Sequence, residues 1–212
     1  MAGKLYAITA VLAGLQLAAT EIQAAPSAAT VCPPFGFSNA INHATNPSFE
    51  LVGRNGNPSI CPSPCVAPKI SAAANWTMHS DNFGSAVSTR LEPITILNPN
   101  PVPYGTGPGR GRLMLHVISG GGEGGVYQTH FVTRSGTKVM FQVWVYVRKG
   151  HVAMQANGGT TGPAAWSAKT NQWEELRVCT DGTVPVDIFL IYNEDPNGGN
   201  FYVDRAEIRQ LP

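Results

Sequence analysis

The chain has 212 residues, a formal net charge of +1 and only 13% charged residues. This length is typical of one domain. The nearly neutral composition argues against nucleic acid or an anionic membrane as a partner, because both attract strongly basic proteins.

An export signal and a lead-in come first in chain order. Lys4 precedes an uncharged apolar run over residues 5–19, and small residues follow it. This pattern predicts a signal peptide over residues 1–24 and hence a secreted protein, because the run is too short for a good membrane span. An uncleaved N-terminal anchor is the alternative. Residues 25–42 are rich in Ala, Ser and Pro and predict a flexible lead-in, which leaves one domain over residues 43–212.

The remaining chain alternates between apolar runs and Gly- or Pro-rich turns. Strands are predicted at 113–118, 125–132, 138–147, 151–155, 173–179, 184–193 and 200–208, whereas 53–74 and 92–111 predict long irregular segments. Seven or more short strands separated by turn signals indicate an all-β sandwich or barrel.

Alternation along these strands predicts which side chains face the interior. Side chains of a strand point to opposite faces in turn. The predicted core comprises Phe141, Val143, Val145, Leu176, Ile188 and Leu190.

The opposite faces of three strands combine aromatic rings with planar polar groups. If strands 125–132, 138–147 and 173–179 share a sheet, its outer face presents Gln128, His130, Gln142, Trp144, Tyr146, Glu175 and Arg177. Aromatic rings stack on the C–H faces of pyranoses, and planar polar groups bond hydroxyls, so this set predicts a sugar-binding face. The alternative is that Trp144 and Tyr146 pack beneath a loop or a second layer. Trp166 is either a rim aromatic of the site or a loop anchor.

Four segments resemble, in the same order, carbohydrate-binding modules with the galactose-binding-like jelly-roll fold. The matching segments are NPSFELVG (46–53), GRLMLHV (111–117), GVYQTHFV with GTKVMFQVWVYV (125–147) and FYVDRAEI (201–208). The resemblance implies a jelly-roll β-sandwich of two antiparallel sheets that binds a polysaccharide or oligosaccharide, such as xylan, β-glucan or cellulose. The chain departs from the family pattern at Arg205, where a second Asp is frequent, and at Met114, where Ser is frequent.

The resemblance also implies one structural calcium ion. Glu50 and Asp204 occupy the matching motif positions, and Asn46 is a further candidate ligand. Two carboxylates brought together repel, and a hard cation with oxygen ligands removes that repulsion. The alternative is that Glu50 and Asp204 are ordinary turn and strand-end residues.

No catalytic constellation emerges from the sequence, so a non-catalytic protein is expected. Glu174 and Glu175 are adjacent and face opposite ways on a strand, so they cannot act as a paired acid and base. A secreted adhesion or matrix protein without sugar specificity is one alternative. A jelly-roll polysaccharide lyase is another, and its residue types are present at Tyr127, Gln128, His130, Tyr146 and Arg177.

Two further features of the sequence are its four cysteines and an Asn-Trp-Thr tripeptide. Four cysteines in an exported chain predict disulfides, and of the three possible pairings Cys61–Cys65 with Cys32–Cys179 is favoured over the others and over a zinc site. Residues 75–77, Asn-Trp-Thr, match the N-glycosylation pattern, which would have no use in a bacterial protein.

Overall fold

The computed structural model describes residues 41–62, 69–80, 86–97, 111–131, 137–156, 163–182 and 186–210. Its strands are β1 Ser59–Cys61, β2 Lys69–Ile70, β3 Thr77–Ser80, β4 Val87–Pro93, β5 Leu113–Ser119, β6 Gly124–Phe131, β7 Thr137–Lys149, β8 Val152–Ala156, β9 Ala164–Trp166, β10 Trp173–Gly182, β11 Val186–Asn193 and β12 Gly199–Gln210. A 3-10 helix, Ile94–Leu97, follows β4. The predicted signal peptide and most of the lead-in lie outside these ranges. Among the described helical residues, none forms a helix long and apolar enough to cross a membrane.

The strands form two six-stranded antiparallel sheets. The first sheet has the order β1-β4-β5-β12-β7-β10, and the second has the order β2-β3-β6-β11-β8-β9. The prediction of a jelly-roll β-sandwich with two antiparallel sheets is confirmed. The five strands predicted between 113 and 179 end within three residues of their observed limits, because their apolar alternation is long enough to define them.

The interior lies between the two sheets. Phe141, Val143 and Val145 of β7 are fully buried there, and Leu176 of β10 joins them, as predicted. The prediction is wrong for Ile188, which is half-buried, and for the direction of Leu190, because Phe189 and Ile191 of β11 point inward in their place. Leu190 is buried in a separate apolar cluster on the outer face of the sheet. Since β11 is apolar on both faces, alternation alone could not select the inner one.

The described cysteines lie at opposite edges of the first sheet. Cys61 belongs to β1 and Cys179 to β10, five strand spacings apart, or roughly 24 Å. Neither is a free thiol, and this separation rules out a bond between them because a disulfide joins Cα atoms within about 7 Å. Cys32 and Cys65 lie outside the described residues, so the favoured pairing stays a prediction.

Candidate functional site

Each sheet has an outer face that carries aromatic residues. We call the outer face of the first sheet the covered face and that of the second sheet the trough face. Five of the eight predicted ligand residues lie together on the covered face, because β7 and β10 are adjacent. Their register pairs Gln142 with Arg177, Trp144 with Glu175, and Tyr146 with Trp173.

The aromatic rings of the covered face form a second apolar cluster. Tyr146 (6% exposed), Trp173 (7%) and Tyr202 (2%) are buried there with Met114 and Leu97. The Tyr146 ring meets the Trp173 ring edge to face, with centroids 5.6 Å apart. Ile94 and Trp144 pack against the same cluster. Its rings are therefore largely occupied by protein contacts, and packing beneath another layer describes Tyr146 better than an open platform does.

Polar groups around this cluster are also engaged with one another. Arg177 donates from Nε to Gln142 Oε1 at 3.1 Å and forms an ion pair with Glu175. His116 stacks on Tyr202 with centroids 4.3 Å apart, and its Nδ1 lies 3.1 Å from Glu92 Oε1. These contacts stabilise the covered face and leave few of its polar groups free for a ligand.

Gln128 and His130 do not share this face, so the assumption of one common sheet is wrong. Strand β6 belongs to the second sheet, between β3 and β11. Val126 is fully buried in the interior, and alternation therefore turns Gln128 and His130 inward as well. The sequence suggested the reverse orientation because Tyr127 and Phe131 are the larger apolar residues of this strand.

Gln128 braces the N-terminal segment against β3. Its Oε1 accepts a hydrogen bond from Thr45 N at 2.9 Å, and its Nε2 donates to Thr45 O at 2.9 Å and Asn75 O at 3.0 Å. His130 is buried nearby, with its ring centroid 5.2 Å from that of His43. Burial, followed by the charge of His43, lowers the pKa of His130. Both residues have a structural role at this end of the sandwich.

The trough face is built by five neighbouring strands of the second sheet. Its central row, one residue per strand from β3 to β9, comprises His79, Gly125, Tyr192, Ala153 and Trp166. The next row comprises Thr77, Tyr127, Leu190, Gln155 and Ala164. The small residues Gly125 and Ala153 flank Tyr192 on the two neighbouring strands. A Cβ at Gly125 would lie 2.0 Å from Ile191 O, so this position requires glycine.

Two aromatic rings of the trough face, Tyr127 and Trp166, are half-buried, whereas the Tyr192 ring between their strands is buried, with 5% of its surface exposed. Trp166 stacks on His151 with centroids 5.2 Å apart and meets Tyr192 edge to face at 6.5 Å. Tyr127 meets His79 edge to face at 6.4 Å. Among the residues that the structure describes, the apolar cluster of this face contains only residues of the sheet itself. Trp166 and Tyr127 therefore present ring surface that no described element covers.

Hydrogen-bonding groups converge on the same rows. The hydroxyl of Tyr192 donates to Glu194 Oε1 at 2.9 Å and lies 3.4 Å from Gln155 Oε1. Burial raises the pKa of Tyr192, and the charge of Glu194 adds to that effect. Burial also raises the pKa of Glu194, opposed by the Tyr192 hydrogen bond and reinforced by Glu123. Perturbed groups beside open aromatic rings are typical of a binding site.

Of the predicted ligand residues, Trp166 alone lies on the trough face. Sequence reasoning missed Gln155, Tyr192 and Glu194, and it named Tyr127 only for the lyase alternative. One signal was available: β11 carries Ile188, Leu190 and Tyr192 on the face opposite its core residues, which is unusual for a face in plain solvent contact.

The residue types of the lyase alternative are not assembled. Tyr127 faces the trough, Gln128 and His130 face the interior, and Tyr146 and Arg177 belong to the covered face. This constellation therefore offers no common site for substrate.

The predicted calcium ligands fit a cation in part. Asp204 is buried, and burial raises the pKa of its carboxyl to about 7, opposed by the backbone N–H of Arg205 and reinforced by Glu50. A Cβ at Gly111 would lie 2.1 Å from Glu50 Oε1 and 2.9 Å from Ser48 O. The charge of Glu50 thus acts on Asp204, while Glu50 Oε1 accepts a hydrogen bond from Leu113 N at 2.7 Å. The described residues contain no group of three or more His, Cys, Asp or Glu side chains able to hold a metal.

Asn46 has another role. Its Nδ2 donates to Leu51 O and Ala74 O, both at 3.1 Å, and its Oδ1 accepts from Leu51 N at 3.0 Å. Its φ of 50° places it in a left-handed turn that these bonds stabilise. The side chain of Asn46 therefore braces the turn before Glu50.

Comparison with known proteins adds information on the fold. No protein-family model matches the chain, and no curated protein matches it in sequence. A proposed sugar-binding protein from Bacteroides thetaiotaomicron is similar with a TM-score of 0.50 at 9% identity, over 80% of this chain and 100% of that one. The enzymatically active domain of bacteriophage CBA120 tailspike protein 4 is similar with a TM-score of 0.51 at 11% identity, over 81% of this chain and 22% of that one. TmCBM61 in complex with β-1,4-galactotriose has a TM-score of 0.49 at 14% identity, over 80% of this chain and 98% of that one. The shared property is the jelly-roll fold.

Proposed function

We propose that this chain is a secreted, non-catalytic domain that binds a polysaccharide or oligosaccharide on its trough face. The observation that carries the proposal is the row from His79 to Trp166, in which partly open rings lie beside the hydrogen-bonded pair Tyr192 and Glu194. The nearly neutral charge of the chain suits a neutral glycan. The fold shared with a proposed sugar-binding protein supports the same conclusion.

The dimensions of the trough favour a chain of several sugars. Four strand spacings separate His79 on β3 from Trp166 on β9, which corresponds to roughly 19 Å. Trp166 and Tyr127 offer stacking surfaces, and the half-buried carboxylate of Glu194 offers an acceptor for hydroxyl donors. Affinity is expected in the micromolar to millimolar range, because a sugar exchanges hydrogen bonds with water for bonds with protein at little net gain.

A glycan array of the purified protein tests this proposal, followed by calorimetry on the bound oligosaccharide. Trp166→Ala and Tyr127→Ala should each weaken binding by about 1–3 kcal/mol, as for other aromatic platforms. Trp144→Ala, on the covered face, is the matched control and should leave affinity unchanged. Loss of binding in the control alone would move the site to the covered face.

The remaining outcomes separate the alternative functions. Absence of binding to any glycan would favour an adhesion or matrix protein. New reducing ends or unsaturated products during incubation with a bound glycan would overturn the non-catalytic assignment.

We also propose that Glu50 and Asp204 hold a structural calcium ion. A hard cation would neutralise the two coupled carboxylates and offset the burial of Asp204. Chelator should lower the melting temperature by several degrees, since a ligand that binds only the folded state stabilises it. Asp204→Asn should abolish this sensitivity, and a wild-type melting curve indifferent to chelator and calcium would contradict the proposal.

Secretion and disulfide pairing are tested on the exported protein. N-terminal sequencing should begin at Ala25, and alkylation of the unfolded, non-reduced protein should label no cysteine. Retention of Lys4 in the exported protein would favour the uncleaved anchor.

A further inference from the structure

Asn75 lies in an exposed turn immediately before β3. It adopts a left-handed conformation with φ 65°, and its side chain is exposed, whereas Trp76 is fully buried. Gln128 fixes the backbone of this turn by donating to Asn75 O at 3.0 Å. The turn is thus rigid in its backbone and open at the Asn75 side chain.

The amide of Asn75 is free of hydrogen bonds within the described residues. Most other asparagines of the described chain use theirs, for example Asn46 in its turn and Asn57, which donates to Leu91 O at 3.0 Å. Asn171 is the comparable exception, because it is also exposed and left-handed, with φ 56°. Asparagine tolerates this conformation better than most residues, which explains the residue type at both positions.

The two asparagines differ in the residue that follows at the second position. Thr77 follows Asn75, whereas Trp173 follows Asn171. Asn-x-Thr with a residue other than proline in the middle is the acceptor pattern for N-linked glycosylation, and it requires an accessible asparagine in a secreted protein. The tolerance for a left-handed turn does not account for Thr77.

We propose that Asn75 accepts an N-linked oligosaccharide when the chain enters a eukaryotic secretory compartment. Nδ2 of Asn75 forms a bond to the anomeric carbon of an oligosaccharide linked to a polyprenyl diphosphate. The bond from that carbon to the diphosphate oxygen breaks, the polyprenyl diphosphate leaves, and the amide loses one proton. The proposal rests on the secretion inferred from residues 1–24 and is independent of the trough face.

Translation of the full chain with eukaryotic microsomes tests the proposal. The translocated protein should run more slowly on a gel, and treatment with a peptide amidase that removes N-glycans should restore its mobility and convert position 75 to aspartate. Thr77→Val should abolish the shift while keeping a β-branched side chain in β3. Thr77→Ser should retain it, and Asn75→Gly should abolish it while preserving the left-handed turn.

Each other outcome overturns part of the argument. A protease-protected, leader-free chain without a shift would overturn the modification and leave secretion intact. A chain that stays outside the microsomes would overturn the secretion inferred from residues 1–24, and with it the premise of the modification. A shift that persists in Thr77→Val would place the glycan elsewhere and overturn Asn75 as the acceptor.

Discussion

The covered face and the trough face contain similar residues and use them differently. Both place tyrosine and tryptophan beside glutamine and glutamate on the outer side of a six-stranded sheet. On the covered face, Ile94 and Leu97 of the 3-10 helix pack on the rings, and the polar groups bond one another. On the trough face, the described part of the apolar cluster consists of the sheet's own residues, of which Tyr127 and Trp166 stay half-buried. Composition alone therefore does not distinguish a second core from a binding surface.

The largest expected effect is a difference in unfolding free energy between the alanine variants of two tryptophans, one on each face. Trp173→Ala should lower the free energy of unfolding by about 3–5 kcal/mol, because it removes a large buried side chain from the covered face. Trp166→Ala should change it by about 1 kcal/mol or less, because Trp166 is half-buried at a sheet edge. Urea denaturation of both variants measures the difference. Equal losses would show that the two faces are packed alike.

A smaller effect is expected from two glutamines of the second sheet. Gln128→Ala should cost about 1–3 kcal/mol of stability, because Thr45 and Asn75 lose their hydrogen-bond partner. Its glycan affinity should stay unchanged, since Gln128 faces the interior. Gln155→Ala should also lower stability, because Gln155 is buried beside the Tyr192 hydroxyl, but it should in addition weaken binding in calorimetry. A loss of glycan affinity in Gln128→Ala would show that Gln128 belongs to the ligand site after all.

Glu194→Gln should weaken glycan binding about tenfold, or ~1.4 kcal/mol, because a carboxylate accepts stronger hydrogen bonds than an amide. Glu92→Gln on the covered face provides the matched control and should bind normally. Calorimetry with the same oligosaccharide compares the two variants. Identical affinities for Glu194→Gln and the wild type would remove Glu194 from the site.

The smallest expected effect concerns pH and His130. Because burial and His43 lower the pKa of His130, the unfolded chain takes up a proton more readily than the folded one. The stability contributed by His130 is therefore present above the unfolded pKa of about 6.5 and is lost as pH falls through it towards the lowered folded pKa. Unfolding free energies measured above and below that pH should reveal the slope, and His130→Gln should flatten it. An unchanged slope in the variant would assign the pH dependence to other groups.

Much of the fold could be predicted because β7, β10 and their neighbours are long and alternate clearly. The shorter strands were missed for identifiable reasons. β1 and β2 contain three and two residues, too few for a period to appear. In β4, Thr89 occupies an inward position and is buried, so the apolar alternation is interrupted. Its hydroxyl accepts a hydrogen bond from Ala72 N at 2.8 Å, a partner that the local sequence does not reveal.

The candidate site was less predictable because its location depends on contacts distant in sequence. Gln128 is buried because Thr45 and Asn75 satisfy its amide, and these partners lie 83 and 53 residues away. Tyr146 is covered because the chain after β4 returns over β7. Alternation correctly grouped Gln142, Trp144 and Tyr146 on one face, but it carries no information on what packs over that face.

The position of β12 has a consequence for how the molecule assembles. This strand, the last of those described, lies between β5 and β7 in the middle of the first sheet. Until it is synthesised, the first sheet consists of two halves with unpaired edges, and its many pairings between distant segments slow folding further. A nascent chain therefore cannot complete the first sheet until β12 has left the ribosome. For the export proposed for this chain, such a delay would keep the polypeptide competent for transport across a membrane.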